Sequence, residues 1–159
     1  MITPNSDAAG DIEVLRQFFS RGGSVWMLTD IDKKDLDTLY AYATQHFDAG
    51  QWQEAHNVYS ILVRVDHWCF DYWFALGLTC QRMGSHDEAV FCFARAGTIR
   101  LDDPRPPYFT GISCLALDRG EAASKAFNAA LRWCGCDPCY DELRASATDQ
   151  LARCPLQEN

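Results

Sequence analysis

Apolar positions recur along this chain with two periods at once. Inside segments they follow helical spacing: Ile12, Leu15 and Phe19, with Val14 and Phe18 beside them, then Leu36, Leu39, Ala43 and Phe47, then Ala55, Val58, Tyr59 and Leu62. Between segments, residue types repeat every 34 positions. Ala55, Ala89 and Ala123 form one series, Tyr59, Phe93 and Phe127 a second, Ala43, Gly77 and Gly111 a third, and Leu62, Ala96 and Ala130 a fourth. Small residues recur where two helices must approach closely, and aromatics recur where a gap between helix pairs must be filled. The pattern predicts an all-α solenoid of helix–turn–helix units.

A repeat of that length is the signature of the tetratricopeptide repeat. The middle unit is the cleanest. Trp73, Leu76 and Gly77 give the W-x-x-L-G pattern, Gly84 makes the turn, and Ala89, Phe93 and Ala96 complete the second helix. Residues 1–10 carry little pattern and are expected to be disordered. One domain is expected over residues 11–153: an N-terminal helical region at 11–35, three tandem repeats at about 36–69, 70–103 and 104–137, and a capping helix at 138–153. Residues 154–159 are read as a tail. Gly22-Gly23 should stop the first helix, and Thr29 with Asp32 suggests the start of the next. Asp118 stands where the middle repeat has its turn glycine. Pro104, Pro106 and Pro107 are compatible with a first helical turn, and Asp137-Pro138 reads as an N-cap followed by proline.

Composition narrows the function classes. With 48% apolar and 13% aromatic residues in 159, the chain can build a real core. A net charge of −8 argues against nucleic acid or an anionic membrane as partner. No apolar run approaches the roughly 18 residues of a membrane span, so direct membrane insertion is not expected. Met1 to Gly10 lack the basic and apolar stretches of a secretory signal, which predicts a cytoplasmic protein. Of eight cysteines, Cys80, Cys92 and Cys114 fall in helical segments and read as free core thiols.

Helix packing accounts for the repeated small and large positions. What remains on the first helix of each repeat should face the concave wall of the superhelix. Tyr40, Phe74 and Tyr108 form the leading series there, followed by Thr44, Leu78 and Ile112, and then by Phe47, Gln81 and Leu115. A wall serving stability alone would be polar at these places, so an apolar stripe predicts a groove for another chain. An extended segment docking there needs a few deep apolar anchors, and a proline-containing one loses less entropy. The other reading is that Leu78 and Ile112 pack between neighbouring helices. Val25, Trp26 and Met27 are too bulky to be left in water, so they should meet the first repeat or a second copy of the chain.

Cys134, Cys136, Cys139 and Cys154 could be read as zinc ligands, but the C-x-C spacing matches poorly, and packing at a helix junction is preferred. His46, His56, His67 and His86 are scattered. No Ser/His/Asp grouping, phosphate loop or metal-spaced His-Glu pair is present, so neither catalysis, metal nor cofactor is predicted.

Three further features carry a family resemblance. They are the Gly22-Gly23 stop after a short amphipathic helix, the run Leu39-Tyr40-Ala41-Tyr42-Ala43, and the link Val65-Asp66-His67-Trp68. With the repeats, they make residues 11–153 similar to the class II chaperones of bacterial type III secretion, the SycD/LcrH-like group. The resemblance implies a cytoplasmic chaperone that keeps hydrophobic translocator proteins soluble before secretion. It implies a Pro-x-Leu-x-x-Pro segment of the client in the concave groove, touching aromatics at Tyr40 and Phe47, and a homodimer formed through the region of Val25, Trp26 and Met27. Thr44 stands where relatives often carry an aromatic. The alternatives are a general repeat adaptor or a regulatory cofactor of a transcription activator.

Overall fold

The computed structural model describes residues 8–154 of the chain; the expectations for residues 1–7 and 155–159 lie outside them. Among the described residues eight helices follow one another: α1 (Ala8–Ser20), α2 (Lys33–Asp48), α3 (Trp52–Val65), α4 (Phe70–Arg82), α5 (His86–Ile99), α6 (Arg105–Ala116), α7 (Gly120–Cys134) and α8 (Asp141–Arg153). Single 3₁₀ turns at Val25–Leu28 and Pro138–Tyr140 precede α2 and α8. From α2 to α8 each helix packs on the next, so α2/α3, α4/α5 and α6/α7 are three antiparallel hairpins stacked in sequence, with α8 on the end. No helix of the described residues is long and apolar enough to cross a membrane.

The turns inside the hairpins are built alike. Gly50, Gly84 and Asp118 have φ of 75°, 77° and 56°, and each follows the last by 34 residues. After each, a backbone N–H reaches back five residues to close the helix: Gln51 to the His46 carbonyl, Ser85 to Cys80, Arg119 to Cys114. This six-residue closure satisfies carbonyls that a helix end would otherwise leave bare.

Packing inside the hairpins explains the small-residue series. Ala43, Ala55, Ala89, Ala96, Ala123 and Ala130 are fully buried. A Cβ on Gly77 would stand 2.6 Å from the Phe93 ring, and one on Gly111 would stand 2.6 Å from Phe127. These glycines are required by close approach: the ring occupies the space a side chain would need. Cys80, Cys92, Cys114 and Cys134 are buried, and all eight cysteines are unpaired. Burial pushes the Cys114 and Cys134 thiols up, so they stay protonated.

Several local expectations change. α1 begins at Ala8, inside the segment expected to be disordered. Asp32, not Thr29, caps α2: its carboxylate accepts the Lys34 N–H, while the Thr29 hydroxyl donates to the Trp26 carbonyl. Leu39, expected in the core, is exposed. α8 starts at Asp141, because Asp137 caps the preceding 3₁₀ turn by accepting the Cys139 N–H.

The link at residues 66–68 ties three elements together. The buried Ser24 hydroxyl donates to the Asp66 carboxylate at 2.7 Å. The Trp73 indole N–H donates to the His67 carbonyl at 3.0 Å, and the His67 ring lies 6.3 Å from Phe19. The segment after α1 is thereby fastened to the end of α3 and the start of α4.

Candidate functional site

Tyr40, Phe74 and Tyr108 behave as one structural series. Each ring meets an aromatic of its own hairpin's second helix: Tyr40 with Tyr59 at 5.6 Å, Phe74 with Phe93 at 5.7 Å, Tyr108 with Phe127 at 5.9 Å. Each also reaches the first helix of the next unit. Tyr40 meets Tyr72 at 5.5 Å, Phe74 meets Phe109 at 5.6 Å, and the Tyr108 hydroxyl bonds Ser146 on α8 at 2.7 Å. The three rings are half-buried, so they join neighbouring units along the inner wall while keeping one side open.

The nine predicted groove residues divide into two sets. Tyr40, Thr44, Phe47 and Leu78 come together with Asp48, Tyr59 and Ala75 around an open cleft of about 200 Å³ between α2, α3 and α4. The other five are engaged by the solenoid itself. Phe74 lies among Phe70, Phe93 and Phe109, with the Arg105 guanidinium 5.1 Å over its ring. The Gln81 amide donates to the Phe109 carbonyl and the Ser113 hydroxyl at 2.9 and 2.7 Å. Tyr108 is held by α8, and Ile112 and Leu115 pack against the C-terminal cluster of Cys114, Phe127 and Ala147. Spacing alone cannot separate these sets, because both sit on the same helical face; what differs is how closely the next unit covers them.

Polar detail shapes the cleft. The Thr44 hydroxyl lies 2.9 Å from both the Tyr40 carbonyl and the Tyr59 hydroxyl. Tyr59, expected to serve packing alone, thus also lines the cleft. Its hydroxyl was the available signal, since the equivalent positions are Phe93 and Phe127. Burial, and then the neighbouring Tyr59, push the Tyr40 phenol up to about 12, so the cleft presents neutral hydroxyls on an apolar floor.

A second cleft, of about 300 Å³, adjoins the first through Tyr40. Trp26, Leu36 and Tyr72 line it, with Lys33, Asp37, Asp66 and Asp71 at its edge. Trp26 packs against the core of its own chain, one of the two alternatives its bulk allowed, whereas Val25 and Met27 are exposed. Val14, Phe18 and Met27 line a further open hollow beside α1.

The late cysteines do not converge. Cys134 is buried while Cys136 and Cys139 are exposed, and no group of metal ligands forms there among the described residues.

Comparison with known proteins agrees with this architecture. A tetratricopeptide repeat profile matches residues 36–68 and 70–94. The chain is 31% identical over 109 residues to the low calcium response locus protein H of Yersinia pestis, which is 69% of this chain and 64% of that relative's length. Among solved structures, a type III secretion complex from Aeromonas hydrophila superposes with a TM-score of 0.85 at 27% identity, covering 89% of this chain and 94% of that one. The type III secretion translocator chaperone SycD of Yersinia enterocolitica superposes at 0.77 with 25% identity, covering 83% and 98%.

Proposed function

We propose that this chain is a member of the SycD/LcrH-like group of tetratricopeptide-repeat chaperones of type III secretion, to which its sequence and fold are similar, and that it holds a hydrophobic translocator protein in the bacterial cytoplasm until it is secreted. The observation that carries this reading is the open apolar cleft where Tyr40, Thr44, Phe47 and Leu78 meet. Such a cleft takes the anchor side chains of an extended, proline-containing client segment. The half-exposed edges of Phe74 and Tyr108 continue the path along the inner wall, while Gln81, Ile112 and Leu115 support it from behind. No bond is made or broken: binding withholds the client's apolar stretches from aggregation by mass action.

The N-terminal region supports self-association as a second part of the same reading. Val25, Met27 and Leu28 are exposed, and Met27 lines one open hollow with Val14 and Phe18 of α1. Contiguous apolar surface of this kind marks an interface, and a second copy of the chain is its proposed occupant. Co-expression with a hydrophobic translocator tests the main function. A chaperone renders an otherwise aggregated client soluble and co-purifies with it; a client that stays insoluble in the presence of abundant, folded protein contradicts the proposal.

A further inference from the structure

One joint of the solenoid carries chemistry that its packing does not need. Where the first two repeats meet, three helices contribute metal-ligating side chains to one point. His56 comes from α3, Cys80 from α4 and Glu88 from α5, with all three ligand atoms within 4.8 Å of one another. His56 Nε2 lies 2.9 Å from Glu88 Oε1. Cys80 is fully buried, and the buried Cys92 lies on the adjoining α5. One repeat further on, the register places Val90, Cys114 and Ala122 at the same three positions. At those three positions the next joint has neither imidazole nor carboxylate, so hairpin stacking alone does not call for His56 or Glu88.

We propose that His56, Cys80 and Glu88 form a binding site for a zinc-type divalent ion that bridges the first two repeats. Zinc–sulfur and zinc–nitrogen bonds of about 2.3 and 2.0 Å put tetrahedral ligands roughly 3.5 Å apart. The three atoms therefore need only a small contraction, within reach of ordinary side-chain rotation for His56 and the exposed Glu88. A thiolate and an imidazole select a zinc-type ion over magnesium or calcium. The charges also balance: the metal's two positive charges meet one thiolate and one carboxylate, and the Cys80 proton leaves as the ion enters. Water completes the coordination. Bound metal would fix the angle between the first two hairpins.

The test uses the full chain purified without chelator and titrated with zinc sulfate, with cobalt(II) chloride as a spectroscopic probe. The site predicts one equivalent of either metal per chain, a rise in Tm with zinc, and a sulfur-to-cobalt charge-transfer band. The band should vanish in Cys80→Ala and persist in the double variant Cys136→Ser/Cys139→Ser. Glu88→Gln and His56→Gln, at positions not fully buried, should each weaken zinc binding about tenfold or more; they decide the matter should Cys80→Ala fail to fold. Absence of zinc binding, unchanged affinity in both Glu88→Gln and His56→Gln, or a band that follows Cys136 and Cys139 overturns the proposal.

Discussion

Asp118 holds a left-handed backbone at φ 56° in the one hairpin turn of the three that lacks glycine. A side chain costs energy there, although aspartate tolerates the conformation better than most residues. Asp118→Gly is expected to raise stability by about 0.5–1 kcal/mol, read as a higher denaturation midpoint. Gly77→Ala has the opposite sign. Its methyl group would enter the Phe93 ring, and overpacking of this kind costs about 1–3 kcal/mol. Asp103 gives a residue-scale dependence on pH. Burial pulls its pKa upward, but hydrogen bonds from the Arg105 side chain and backbone N–H, with the Arg105 charge, outweigh burial and hold it below the ordinary carboxylate range. A carboxylate lowered on folding stabilises the protein fully above its unfolded pKa of about 3.9. That contribution is lost as pH falls through the lower folded value. Asp103→Asn should therefore cost about 1.5–3 kcal/mol near neutrality. In chemical denaturation measured at several pH values, the gap between the two proteins should close on acidification below about pH 4. A gap of constant size would show that the charged form of Asp103 is not what the pair stabilises.

At the scale of elements, α8 and the N-terminal segment do different work. α8 covers the last hairpin, burying Ala147 and placing Ser146 on the Tyr108 hydroxyl. Truncation after Gly135 would uncover the Phe127 cluster, so it is expected to lower Tm markedly and promote aggregation. The segment at Val25–Leu28 is pinned through Ser24 to Asp66, yet it leaves Val25 and Met27 in solvent. Val25→Asp with Met27→Asp should therefore shift a dimer to monomer in sedimentation velocity without unfolding the repeats. Unchanged sedimentation would remove this face as the interface. These elements also show what the sequence could and could not reveal. The hairpins were legible because Ala55/Ala89/Ala123 and Tyr59/Phe93/Phe127 are imposed by close packing, which recurs with the repeat. The start of α8 was not, because Asp137-Pro138 caps a 3₁₀ turn as readily as an α-helix. Trp26 was not either, because bulk and hydrophobicity do not say whether its own core or a partner covers a residue.

At the scale of the molecule, the solenoid spends most of its inner-wall aromatics on holding its units together and leaves an open cleft where Tyr40, Thr44, Phe47 and Leu78 meet. The sequence located the helical face of the site. It could not tell Leu78, which lines the cleft, from Gln81, whose amide is consumed by Phe109 and Ser113 one turn further along. That distinction is set by the neighbouring hairpin. The central claim is that the cleft between the first two repeats takes the client. It is tested most directly by fluorescence anisotropy with a labelled Pro-x-Leu-x-x-Pro peptide. Two variants close or strip the cleft by different routes: Ala75→Trp fills it while keeping existing contacts, and Tyr40→Ala removes a wall. Both are expected to weaken binding about tenfold or more, near 1.4 kcal/mol or above; Ala75→Trp should do so with little change in Tm, whereas Tyr40→Ala should also lower Tm, because its ring joins the first two repeats. Wild-type affinity in both folded variants would contradict the account.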